Sequence, residues 1–148
     1  MIPTNDNKYS IMVPPQLKDN GTFAANTYVD TKGFGYLDVL VTVGTTDAAI
    51  GSTTATSDLY LEECDTTDGT YSSITGASVD SLSATDDTKA SVMSVKLGGS
   101  RKRYIRVNAP TAADGTTGAN ASIIGVLSRP TLGVTTATKA GLDDWSKV

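Results

Sequence analysis

The chain has 148 residues, 39% hydrophobic and only 19% charged, with a formal net charge of −4, one cysteine and no histidine. This is too apolar for a disordered chain and too weakly charged for a long-helix protein. Without histidine it lacks the usual near-neutral base, the usual zinc ligand and any Ser-His-Asp or Cys-His arrangement. Net acidity argues against direct nucleic-acid binding, which depends on many Lys and Arg contacts. No stretch approaches the roughly 20 apolar residues of a membrane helix.

Thr and Val favour strands, because branched side chains fit a pleated surface, while Gly, Asp and Ser favour the turns between them. The expectation is one all-β domain, a β-sandwich of jelly-roll type with about seven or eight strands. Residues 1–24 read as an N-terminal extended arm, because Pro3, Pro14 and Pro15 oppose a regular helix or a central strand. Its scattered apolar groups, Ile11, Met12 and Val13 among them, imply that it lies against its own domain or a neighbour. The opening MIPTNDNKYSIMVPPQ has no basic segment followed by an apolar run, so synthesis and folding in a cytoplasm are expected.

Residues 25–130 form the domain body. NTYVDT predicts a short strand. GYLDVLVTVG predicts the clearest one, with Leu37, Val39, Val41 and Val43 on one face and Tyr36, Asp38, Leu40 and Thr42 on the other. Residues 44–57 read as a loop. DLYLEEC alternates again, with Leu59 and Leu61 inward, and YSSI is a brief strand before a polar connection over 75–89. ASVMSVKL and KRYIRVNA flank Gly98, Gly99 and Ser100, a pattern that predicts a tight hairpin. PTAADGTTGAN reads as a loop and ASIIGVLS as the last strand. Residues 131–148 form a C-terminal arm in which Leu142, Trp145 and Val148 have helical spacing; it reads either as a stub packing on its own domain or as an anchor into a neighbouring subunit, with Leu142 and Trp145 as the candidate contacts.

Sites for chemistry are scarce. Cys64 reads as a small buried thiol. Glu62 and Glu63, the only glutamates, point to opposite faces of one strand, so they are expected as solvated charges and not as a facing catalytic pair. DTTDGT and ADGTTG combine aspartate oxygens with a turn glycine but lack calcium-loop spacing and a closing glutamate, and read as turns. No catalytic, metal or cofactor site is expected.

The one anomaly is basic. Arg101, Arg103 and Arg106, three of the four arginines, share the stretch LGGSRKRYIRVNAP with Lys102. Alternation turns Ile105 and Val107 inward and places Lys102, Tyr104, Arg106 and Asn108 outward. That row is either a solvated face covering its cross-strand neighbours or a docking strip for an acidic protein surface; contact with packaged nucleic acid is a more distant reading, since the rest of the chain is acidic.

In their order, GFGYLDVLVTVGTTDA, LYLEECDTTDGTYSSITGA, SVKLGGSRKRYIRVNA and ASIIGVLSRP resemble a group of small virion proteins of tailed bacteriophages, over residues 33–130. Lys102 is an extra residue against that pattern, and Cys64 stands where serine is common. The resemblance implies a β-sandwich structural component of the particle. It points to a capsid decoration, or cement, protein on the outside of the head, made in the host cytoplasm. Its partners would be the major capsid protein and further copies of itself, for example as a trimer. Tail-tube, tail-terminator and head–tail joining proteins are the alternative, and a surface adhesin or carbohydrate-binding module a more distant one.

Overall fold

The computed structural model describes residues 7–24 and 28–131. Eleven strands follow in order: β1 (Lys8–Lys18), β2 (Gly21–Thr22), β3 (Val29–Asp30), β4 (Tyr36–Thr46), β5 (Ile50–Ser52), β6 (Leu59–Cys64), β7 (Ser72–Val79), β8 (Ala90–Lys96), β9 (Tyr104–Val107), β10 (Pro110–Ala112) and β11 (Ala119–Ser128). The fold is all-β and sandwich-like. One four-stranded sheet runs β1-β11-β4-β8, a second runs β3-β9-β6-β7, and β2-β10-β5 form a smaller third sheet. Every pairing between these strands is antiparallel.

Period-two patterning builds the core. In β4 the inward set Leu37, Val39, Val41 and Val43 is buried as expected, and opposite it β11 buries Ala121, Ile123 and Leu127 in register. The second sheet contributes Leu59, Leu61 and Ile105, each fully buried. The two faces share one apolar cluster, so each sheet removes the other's inner face from water. Fully burying one Leu or Ile in this way stabilises the fold by about 1.5–3 kcal/mol.

Several expectations need correction. The N-terminal segment lies against its own domain, one of the two expected alternatives, but as part of it and not as an appended arm: from Lys8 it is the edge strand of the larger sheet, paired with β11. Its prolines are tolerated because they occupy an edge, and the register slips between Val13 and Gln16, where Pro14 and Pro15 lie exposed. A second slip, between Ile11 and Val13, turns two successive side chains inward, so Met12 and Val13 are 3% and 1% exposed core residues.

The hairpin expected across Gly98–Ser100 is absent. β8 belongs to the first sheet and β9 to the second, so this connection crosses between layers. Gly98 and Gly99 do hold positive φ, at 89° and 63°. Glycine permits such a turn without specifying whether the chain returns to the same sheet. The separation of Lys96 from Tyr104 is too long for a two-residue hairpin. Finally, the expected loop over 44–57 contains β5, and the expected polar connection after YSSI begins with a β7 that continues to Val79.

Among the described glycines, Gly51 in β5 leaves the least room for a side chain. A Cβ there would collide with the carbonyl oxygens of Ser57 and Thr54, where the 53–57 loop folds back over the strand. Gly51→Ala is expected to destabilise the domain by about 2 kcal/mol through overpacking. Urea denaturation measures this, with the loss appearing as a lowered midpoint at unchanged slope.

Candidate interaction surfaces

The basic segment is held from within. β9 pairs with β6 so that Arg106 lies directly across from Glu62. The guanidinium Nε donates to Glu62 Oε1 at 2.5 Å, and Asn108 Nδ2 donates to Oε2 at 2.9 Å. On its other side the Arg106 guanidinium covers the Tyr71 ring at 3.9 Å, and burial pushes the Tyr71 phenol above its ordinary value. Glu63, on the opposite face of β6, accepts from the Lys102 backbone N–H at 3.1 Å and faces Arg101 at 3.5 Å. Arg103 grips Asp30 with two hydrogen bonds, 2.8 and 2.7 Å, which hold the aspartate below its usual range and raise the guanidinium. Tyr104 is stacked edge-on against Tyr28 with Arg103 over its ring.

Each arginine of the stretch therefore has its own carboxylate. Glu62 and Glu63, expected as solvated charges, are only 5% and 6% exposed. Their local sequence shows two charges, while the cations and amides that satisfy them arrive from a strand some forty residues away. Of the expected outward row, Arg106 and Asn108 are committed to Glu62, and Tyr104 to its aromatic neighbours. The Lys102 side chain makes no ion pair among the described residues. It borders an open basin of about 410 Å³ with Lys32, Phe34, Asp65 and Arg101.

The Asp-Gly loop over 114–118 is organised by a carboxylate. Asp47 accepts the backbone N–H groups of Thr116, Thr117 and Gly118, at 3.1, 2.8 and 2.7 Å, while Asp19 accepts that of Gly115 at 2.9 Å. These amides, Thr117 first, hold Asp47 below its ordinary value. The loop amides thus converge on an anion the protein itself supplies, the reverse of a loop whose carbonyls gather round a cation.

A second surface lies on the outer face of the larger sheet. Ile124, Leu40 and Val92 are direct cross-strand neighbours on β11, β4 and β8, and Ile11 on β1 is in register with Ile124. They form an apolar row across all four strands. Val92 is 52% and Ile11 50% exposed, and Leu40 and Ile124 are half-buried. Hydroxyl groups border the row on one side, where Thr42 and Ser122 are bonded to each other at 2.7 Å, and Ser94 donates to Asp38 on the other at 2.6 Å. Of the sequence-expected contact residues, Ile11 is on this face, Met12 and Val13 are in the core, and Leu142 and Trp145 lie outside the described residues. The row itself was legible only as an excess: β4 and β11 carry apolar residues at both parities, more than a single buried face requires.

No family model, curated protein or solved structure matches this chain.

Arg106→Glu sets two carboxylates against each other beside a buried position, so it is expected to cost about 3 kcal/mol of stability. A thermal melt of the variant checks this; an unchanged midpoint would mean Glu62 is satisfied without its arginine. Acid sensitivity follows from Asp30, Asp47 and Asp86, all held below the ordinary 3.8. Asp86 is lowered to about 2 by its hydrogen bond from Lys89 and the Ser83 N–H. A carboxylate depressed by folding stabilises the native state above 3.8 and loses that contribution as pH falls through its folded value. Urea midpoints are expected to be level near neutrality and to fall from pH 3.8 toward about 2. Asp47→Asn should flatten part of that fall.

Proposed function

We propose that this protein is a non-catalytic structural component of a tailed-bacteriophage particle. In this reading it is a capsid decoration, or cement, protein that docks on the outside of the head across junctions between major capsid subunits. The observation that carries the proposal is the apolar row Ile124–Leu40–Val92 on the outer face of the larger sheet. A row of this kind, in register across a sheet and bordered by hydroxyl groups, gains free energy when a partner removes it from water. The ordered resemblance of residues 33–130 to small virion proteins supplies the identity of that partner.

The mechanism is mechanical. Packaged DNA pushes capsid subunits apart. A rigid two-layered block bridging a seam must be released before the seam opens, so its binding free energy adds to the stability of the shell. Rigidity comes from the shared core and from the three arginine–carboxylate pairs. Arg106 is occupied by one of those pairs and Tyr104 by its aromatic neighbours, so this reading puts the docking site on the outer sheet face and not on the strip at Lys102, Tyr104 and Arg106.

Purified heads lacking the protein, mixed with it and sedimented, are expected to bind it stoichiometrically around the shell and to rupture at a higher temperature. Leu40→Lys places an ammonium in the row and is expected to weaken this binding by about tenfold or more, since the charge loses water on docking. Binding at a single vertex would favour the connector or tail alternative. Undiminished binding by Leu40→Lys would remove the sheet face from the account.

A further inference from the structure

Four strands form the edges of the two larger sheets, and they differ in how they are protected. β1 carries Pro14, Pro15 and two register slips. β3 is two residues long, and its Asp30 is held by Arg103. β7 contains Gly76 at a φ of 80° and pairs with β6 through a register slip. β8 has none of these devices. Its seven residues, ASVMSVK, contain no proline or glycine, carry a single charge at the far end, and pair with β4 without interruption from Ala90 to Lys96. Among the described residues β8 has no strand on its other side. An unguarded edge of β-forming residues is a template for strand addition.

The hydrogen-bond alternation shows which groups it offers. Val43 N–H donates to Lys89 O at 2.9 Å and Leu97 N–H to Gly35 O at 2.8 Å. In an antiparallel ladder this commits Ser91, Met93 and Val95 to β4 and leaves the N–H and C=O of Ala90, Val92, Ser94 and Lys96 pointing outward. We infer that β8 pairs antiparallel with β8 of a second copy of this chain, about a two-fold axis at Met93, joining two four-stranded sheets into one of eight.

In that register Val92 faces Ser94 of the second copy and Ala90 faces Lys96. Every outward residue of one strand meets an outward residue of the other, so the ladder is complete. Charge selects the antiparallel arrangement. Lys96 meets Ala90 and not another lysine, and Asp86 and Asp87, just before β8, lie toward the Ser100–Arg101 end of the other copy. A parallel arrangement would instead stack Lys96 beside Lys96. The axis stands perpendicular to the sheet, so both apolar rows stay on one face and the two Val92 side chains become diagonal neighbours. On the inner side β7 packs against β8, with a cleft of about 220 Å³ between them lined by Ile74–Ala77, Ser94–Lys96 and Arg101. The pairing is independent of what the outer face binds.

The test uses the full chain alone, without heads. Sedimentation equilibrium is expected to show a dimer that dissociates on dilution. Residue-resolved amide exchange supplies the second readout. Val92 and Ser94 N–H groups should exchange about tenfold more slowly in the dimer than in the dilute monomer, while Met93 and Val95 stay protected throughout. Ser94→Pro removes one outward N–H and none of those committed to β4, and is expected to sediment as a folded monomer at concentrations where the parent chain is dimeric. A chain that remains monomeric at all concentrations, a trimer, or a dimer whose Val92 and Ser94 amides exchange as in the monomer would each overturn the inference.

Discussion

The pairing of β6 with β9 is the constraint on which the second sheet rests, and its centre is a buried carboxylate. Removing Glu62 from water is costly, and the cost is met only where Arg106 and Asn108 reach its two oxygens from the facing strand. A slip of β9 by one residue would bring Ile105 opposite Glu62 and strand both charges. The apolar faces of the two strands specify that Leu61 and Ile105 point inward. The ion pair adds the choice among registers that share this parity. Glu63, one residue on, is fixed from the opposite side by the Lys102 amide and Arg101. Two adjacent carboxylates thus define where β9 starts and how it is aligned.

This arrangement explains why an acidic protein concentrates its arginines in one passage. The segment is a counter-charge for Glu62, Glu63 and Asp30, drawn from two separate parts of the chain. Tyr71 and Tyr104 complete it by covering the guanidinium planes. The surfaces proposed for partners lie elsewhere: an apolar face on one sheet and an unguarded edge beside it. The proposed role in a particle and the proposed self-pairing both use the larger sheet, one through its side chains and the other through its backbone.

Legibility in the sequence followed the range of the interaction. β4 could be read residue by residue, because strict alternation over Leu37, Val39, Val41 and Val43 is a local signal that burial on one face enforces. β6, β8 and β11 were legible for the same reason. β1 was obscured by Pro14 and Pro15, which argue against a central strand but are compatible with an edge, and edge status depends on β11, roughly a hundred residues later. The β8–β9 connection looked like a hairpin because two strands and two glycines adjoin. Its partners, β4 and β6, were chosen by long-range packing. Glu62 and Glu63 looked solvated because their partners are distant in sequence. The apolar row is spread one residue to a strand across four strands, and no window of sequence contains it.

The most direct test of the central claim is a double-mutant cycle on Glu62→Gln and Arg106→Gln, with urea denaturation of the parent, both single variants and the double. If the pair aligns β9 on β6, each single change is strongly destabilising, the double costs less than the sum of the two, and the coupling is about 2 kcal/mol. Additive losses, with a coupling indistinguishable from zero, would show that the buried carboxylate and its arginine act independently and that packing alone sets the register.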